Sequence, residues 1–273
     1  MRSYALLFIA GTLILASCAP KPYAATNKMY KSKAGNFAKM INATPKDSVI
    51  ADSLKIPPYW VGTTNFGMRK PNMVIIHHTA QNSCEQTLKT FTLERTQVSA
   101  HYVICEDGTL HHMLNDYLRA WHAGNSKWGG VTDINSSSIG IEIDNDGFEK
   151  FSEAQLNTLM GLLATLKKDY GIPAANFIGH GDIAPSRKND PNVNFPWKRF
   201  ADSGYGVWYA DTTGVVVPAD FNSTLALRIV GYDVSKLAAA TQAFRRHFLS
   251  IDKPGELTEP EKKVLYLLMQ KYL

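Results

Sequence analysis

Between Ser152 and Pro173 the chain carries a helix marked at both ends, and it lies between two runs that read as strands. Ser152 and Gln155 have capping-box spacing, Leu156, Leu159, Leu163 and Leu166 recur at helical period, and Gly171 with Pro173 ends the segment. Upstream, "SSIGIEIDN" puts Ile139, Ile141 and Ile143 on one strand face; downstream, "NFIGH" is a short apolar run. An amphipathic helix between strands buries its leucine stripe on the sheet they form, so the pattern predicts an α/β fold. Earlier runs agree. "NMVIIHHTA" (72–80) suits a buried strand, "CEQTLKTFTLERT" has helical spacing at Leu88, Phe91 and Arg95, and "AHYVICEDGTLHHML" reads as a hairpin about Asp107-Gly108.

Four segments follow from changes in character. In residues 1–18, Arg2 precedes the apolar run "YALLFIAGTLILAS", which has the length of a signal-peptide core and is short for a membrane span. It ends at "LASC", which looks like a bacterial lipobox and makes Cys18 the expected lipidated residue. Residues 19–58 are polar and lysine-rich with little periodicity, and read as a tether and early surface segment. Residues 59–212 hold the α/β domain. Residues 213–273 turn to short helices, with candidates in "NSTLALRIVGY", "SKLAAATQAFRRHFL" and "TEPEKKVLYLLMQKYL", the last opened by a Thr258/Glu261 capping box. A net charge of +5 without a basic cluster argues against a nucleic-acid partner and is compatible with a cell envelope. Spacing alone does not pair Cys84 with Cys105, and two separate thiols are expected.

Chemistry concentrates in "IGHGDIAPSRKNDPNVNFPW" (178–197), whose glycines, prolines and Asp-Pro step make it a loop. Such a loop holds a metal, a phosphate or nothing. His77 and His78 are adjacent on a strand and point to opposite faces, so one at most lines a given site. His180 and Asp190 raise the standing of a histidine from that strand. Two histidines and a carboxylate leave zinc one open position, the arrangement of a catalytic site, although a ten-residue spacing across a loop is not specific. Glu142 lies opposite the isoleucines beside Gly140; it is either employed in a site or solvated at an edge. Lys188 is two residues before Asp190 and faces the same way in extended chain, with Arg187 and Asn189 turned away. Asp182 either orients His180 or serves as a turn residue. His101, His111, His112 and His247 are read as ordinary structural histidines.

The motifs "VIIHHTA", "VSAHYVICEDGTL", "AWHAGNSKWGG", "SIGIEI" and "GHGDIAPSRKNDPNVNFPW" occur in the order found in the zinc N-acetylmuramoyl-L-alanine amidases of the amidase-2 type, which the chain resembles over nearly all of its mature length. These are related to phage lysozyme amidases and peptidoglycan recognition proteins, and the likeness extends to the outer-membrane lipoprotein amidases of Gram-negative bacteria. The resemblance implies a mixed central sheet flanked by helices, with a small C-terminal three-helix module of peptidoglycan-binding type. It places one zinc ion on His77, His180 and Asp190, a general base on Glu142 and an oxyanion-stabilising lysine on Lys188. Trp121, His122, Asn135 and Arg187 become substrate-groove candidates, with Trp121 and His122 at the cleft mouth. Two departures from the phage enzymes, Ala100 for tyrosine and Asp190 for cysteine, put the chain in the carboxylate-ligand branch. Asn192 stands where the family has glycine, a position that asparagine fills in a left-handed conformation.

What the resemblance implies is hydrolysis of the lactyl–L-alanine amide of peptidoglycan or muropeptides by a monomer, lipid-anchored at the periplasmic face of the outer membrane. Two alternatives stand beside it: a peptidoglycan-binding lipoprotein without activity, and a zinc peptidase acting within the stem peptide.

Overall fold

The structure is a computed structural model that describes residues 21–43 and 61–273, which fall into two compact units, 1–66 and 67–273. Cys18 and the apolar run before it lie outside the described residues. In the first unit, Ala24–Asn42 forms a helix, α1, where the sequence reading has a tether. Alanine, lysine and methionine are good helix formers, and Lys39 complements the last turn, so local propensity outweighs the weak periodicity. No helix among the described residues is long and apolar enough to cross a membrane.

The second unit is built on a five-stranded sheet. In chain order its elements are β1 (Met73–His78), α2 (Cys84–Thr92), β2 (Tyr102–Ile104), β3 (Leu110–His112), α3 (Ile134–Ser137), β4 (Ser138–Ile143), α4 (Glu153–Tyr170), β5 (Phe177–Gly179), α5 (His180–Ile183), α6 (Trp197–Asp202), α7 (Ser223–Val230), α8 (Leu237–Leu249) and α9 (Glu259–Met269). Strand order is β3-β2-β4-β1-β5, with β2, β4, β1 and β5 parallel and β3 antiparallel at the edge. The mixed sheet, the flanking helices and the three C-terminal helices match the expected architecture. The helix marked in the sequence is α4, with the Ser152/Gln155 capping box formed and Gly171 left-handed at φ 67°.

Alternation on β1 decides what each face meets. Val74 and Ile76 join Ile139, Ile141 and Ile143 beneath Leu156, Leu159 and Leu163 of α4. Met73 and Ile75 point the other way, into a core shared with Leu227, Phe244, Phe248 and Leu265 of the C-terminal helices. His77 continues that second face and His78 the first, where His78 Nδ1 accepts the Asn192 backbone N–H at 3.1 Å.

Three local expectations change. Cys84 and Cys105 are joined by a disulfide: Cys84 opens α2 and Cys105 follows β2, and the fold brings their Cα atoms to 5.2 Å, inside the bridging range. Asn192 is buried without a left-handed backbone, its side chain bonded to Asn145 and to the Glu149 carbonyl. The segment after β5 opens with one helical turn, α5, because the Asp182 carboxylate accepts the Gly179 N–H at 2.8 Å and caps it. The turn-rich loop begins after it.

Candidate metal centre and cleft

Strand register assembles the centre. β4, β1 and β5 are neighbours, with His77 level with Glu142 and Ile76 level with Gly179. The residue after Gly179 is His180, which therefore stands beside His77 on the same face. Asp190 is folded back onto this point by a 2.6 Å hydrogen bond from the Gly181 N–H to the Asp190 carbonyl. His77 Nδ1 lies 3.0 Å from His180 Nδ1, and Asp190 Oδ2 lies 3.1 and 3.0 Å from those two nitrogens. All three residues are buried.

Hydrogen bonds on the far side of each imidazole settle which nitrogen carries the proton. Ser138 donates its hydroxyl to the Ile134 carbonyl at 2.7 Å, so its oxygen accepts from His122 Nε2–H at 3.1 Å. His122 then presents Nδ1 as acceptor to His77 Nε2–H at 3.0 Å. Burial and the neighbouring His180 lower the His77 pKa to about 4, and burial with His77 lowers that of His122, so both rings are neutral. His180 donates Nε2–H to the Ala123 carbonyl at 3.2 Å. With the Nε2 protons so placed, the Nδ1 lone pairs of His77 and His180 and an Asp190 oxygen converge on one point. Such a set calls for a cation, and two imidazoles with one carboxylate fit zinc with a position left open. A second grouping of this kind among the described residues, Cys84, Cys105 and His111, has both sulfurs committed to the disulfide.

Glu142 borders this point without joining it. Its Oε1 is 3.9 Å from His77 Nδ1, and its Oε2 is buried with no hydrogen-bond partner. Burial first, and then the Asp190 charge, raise its pKa well above the ordinary carboxyl value, while Lys188 works the other way. A carboxylate that resists charge in this manner is a strong proton acceptor.

A cleft of about 410 Å³ opens onto His180 and is lined by Trp121, Asn135, Arg119, Arg187 and Lys188. Trp121 is 42% exposed there. His122 also borders this cleft, and its ring is buried behind His77, where its Nδ1 accepts the His77 Nε2–H. Asn135 Oδ1 accepts the backbone N–H groups of His122 and Ala123 at 3.1 and 2.9 Å, so it shapes this loop. Arg187 donates to the carbonyls of Ala123 and Asn125 at 2.8 and 2.9 Å, tying the same loop to the metal segment.

Sequence reasoning missed Ser138, which has a legible signal, since Ser138, Gly140 and Glu142 alternate on one face of β4. Of the two roles expected for Asp182 the structure shows the turn residue: it accepts the Gly179 N–H, and also Tyr232 O–H at 2.8 Å and His247 Nδ1–H at 2.7 Å, partners with no signal in the sequence. His247 also stacks on Trp197 at 3.9 Å between ring centroids.

Residues 67–193 match the Amidase_2 family, described as N-acetylmuramoyl-L-alanine amidase. N-acetylmuramoyl-L-alanine amidase AmiD of Escherichia coli (strain K12) is 32% identical over 231 residues, which span 73% of this chain and 83% of AmiD. The 1,6-anhydro-N-acetylmuramyl-L-alanine amidase AmpD of Salmonella typhimurium (strain SL1344) is 40% identical over 104 residues, 38% of this chain and 56% of AmpD. Among solved structures, E. coli AmiD in complex with the substrate anhydro-N-acetylmuramic acid-L-Ala-D-γ-Glu-L-Lys has a TM-score of 0.68 at 28% identity, covering 77% of this chain and 93% of that one. AmpDh3 of Pseudomonas aeruginosa has a TM-score of 0.67 at 30% identity, covering 80% and 99%.

Proposed function

The chain belongs to the amidase-2 family, and from that premise we propose that it hydrolyses the amide between the lactyl group of muramic acid and L-alanine in peptidoglycan or muropeptides, in cell-wall turnover. The observation that carries the reading is the convergence of three buried lone pairs, from His77, His180 and Asp190, beside an unpartnered Glu142 oxygen. The muropeptide bound to AmiD supports a substrate of this class.

We assign zinc to Nδ1 of His77, Nδ1 of His180 and Oδ2 of Asp190, where a bound ion acidifies water and polarises the scissile carbonyl. Glu142 takes the proton of the attacking water on its unpartnered oxygen and returns it to the departing alanine nitrogen. Lys188 brings an ammonium to the oxyanion from the cleft wall. Ser138, His122 and Ala123 keep the two imidazole protons away from the centre throughout. The apolar run ending at Cys18 supports export and lipid attachment, and the proposal adds residence at the outer membrane and action as a monomer.

The test compares wild type with Glu142→Gln on a muramyl peptide at matched zinc content, with products identified by mass. Release of a stem peptide with a free L-alanine amine is expected, at a rate roughly 10²–10⁴-fold lower in the variant. Equal rates would remove Glu142 from the proton path. Products cut within the stem peptide indicate a peptidase, and tight binding without any product indicates a recognition protein.

A further inference from the structure

A second cluster of ligating side chains lies outside the cleft. Val103 of β2 is level with His111 of β3, so Cys105, two residues after Val103, stands over the same face of the hairpin as His111. The first turn of α2, capped by Ser83, brings Cys84 to that face. The two sulfurs and a nitrogen of His111 all lie within 4.8 Å of one another. His111, Val103, Glu142 and His77 are level across neighbouring strands, which puts His111 about 14 Å from His77 along the sheet. The cluster is therefore separate from the candidate metal centre.

A disulfide that only staples α2 to β2 requires neither a third donor nor access from solvent. Here Cys84, Cys105 and His111 are all partly exposed on an open cavity of about 770 Å³, whose walls also carry Glu85, Glu106, Asp107 and Asp144 and no lysine or arginine. The His111 ring makes no hydrogen bond among the described residues. Two sulfurs and an imidazole in a field of negative charge suit a thiophilic cation once the sulfurs are reduced. We propose that Cys84, Cys105 and His111 form a second, redox-gated metal site, which binds a zinc-class divalent ion when the disulfide is open. A dithiol reductant opens it by exchange: the Cys84–Cys105 bond breaks, each sulfur gains an electron and a proton, and the reductant closes to its own disulfide. Binding the ion displaces the two thiol protons, and the reverse exchange closes the bridge and releases the ion. A carboxylate of the cavity wall or a water takes the fourth position. The site does not rest on the amidase reading.

Cobalt(II) is the probe, added to the full chain with Cys18→Ala, in which Cys84 and Cys105 are the remaining cysteines. The centre at His77, His180 and Asp190 holds no sulfur, so an ultraviolet sulfur-to-cobalt charge-transfer band reports the second site alone. Reduction by a phosphine, which takes up the oxygen of water as its oxide, is expected to bring out this band together with one further cobalt per chain. Both are absent from the oxidised chain, and far-ultraviolet circular dichroism checks that reduction leaves the fold intact. His111→Ala is expected to weaken the further ion by at least roughly 10–100-fold, the cost of losing a mere outer-shell partner. No band in the reduced chain overturns the proposal, and so does a band carried by a chain that reduction has unfolded. Equal affinity in His111→Ala also overturns it, because two thiols would then suffice. A further ion held equally by the oxidised chain belongs to the carboxylates and refutes the thiolate site.

Discussion

Gly140→Ala isolates the contribution of the imidazole behind His77. Gly140 is in the middle of β4, in ordinary strand backbone that alanine adopts freely, so the substitution carries no conformational penalty. Its effect is steric: a Cβ at this position stands 2.4, 2.6 and 2.8 Å from Cγ, Cδ2 and Nδ1 of His122. Real Cβ contacts are not this short, and the ring has nowhere to go, packed edge-on to His77 and bonded to Ser138. Overpacking of this kind costs about 1–3 kcal/mol of stability. Displacing the ring by a few tenths of an ångström or more also degrades the 3.0 Å bond from His77 Nε2–H to His122 Nδ1. That leaves a donor in a dry site without its acceptor, at about 1–3 kcal/mol, and releases the constraint that keeps the lone pair on Nδ1. Zinc affinity is then expected to fall roughly 10–100-fold.

The assay is zinc competition against a chromophoric chelator, paired with urea unfolding of the metal-free protein. Gly161→Ala serves as control, because an added Cβ there meets nothing within 4 Å inside α4; its affinity stays at the wild-type value and its stability rises by about 0.5–1 kcal/mol. Combining Gly140→Ala with His122→Ala removes the clash but not the missing acceptor, so stability returns part of the way while affinity remains low. A Gly140→Ala protein that binds zinc as tightly as wild type would refute the argument, because the imidazole behind His77 would then have no hold on the ligand.

Asp182→Ala strips the acceptor from Tyr232, His247 and the Gly179 N–H together, and a stability loss of about 3–5 kcal/mol by urea unfolding is expected; a change below about 1 kcal/mol would mean the three donors find other partners. The Arg245–Glu261 pair sets an acid limit on the C-terminal helices: the hydrogen bonds from Arg245 lower the Glu261 pKa from 4.5 to about 2. Since the folded value is the lower one, the stabilisation is complete above pH 4.5 and is lost as pH falls towards 2. Its size is about 2–3 kcal/mol once partial screening is allowed for, and the difference in stability between wild type and Glu261→Gln shrinks across that window.

The elements were legible where their determinants are local. The α4 capping box, its leucine period and its glycine stop lie within one stretch, and the β2–β3 hairpin turns on Asp107-Gly108. The donor types of the centre were legible as well, as His77, His180, Asp190 and Glu142. Their meeting was not, because it depends on β1 lying between β4 and β5 with Ile76 level with Gly179, and strand order is a property of the whole chain. The same ordering brings Cys105 to Cys84, which is why spacing gave no hint of the disulfide. The contact of His122 with His77 was illegible for a related reason: the glycine that makes room for the ring lies eighteen residues on, in β4.

The change in sequence character at residue 213 marks a change of secondary structure without a break in packing. Phe244, Phe248 and Leu265 share a core with Ile75 and Ile178, so the C-terminal helices cover the sheet face on which His77 stands. From α8, His247 reaches Asp182, two residues after His180, and Arg246 is buried against Gly181. The helical turn that aims His180 is thus capped by a carboxylate whose other two partners, Tyr232 and His247, both come from the C-terminal segment. The three helices therefore serve as one wall of the candidate metal centre. A catalytic unit cut at residue 212 loses the apolar cover of Ile75 and both side-chain donors to Asp182. The loop that carries Asp190 and the C-terminal helices are for that reason one structural unit.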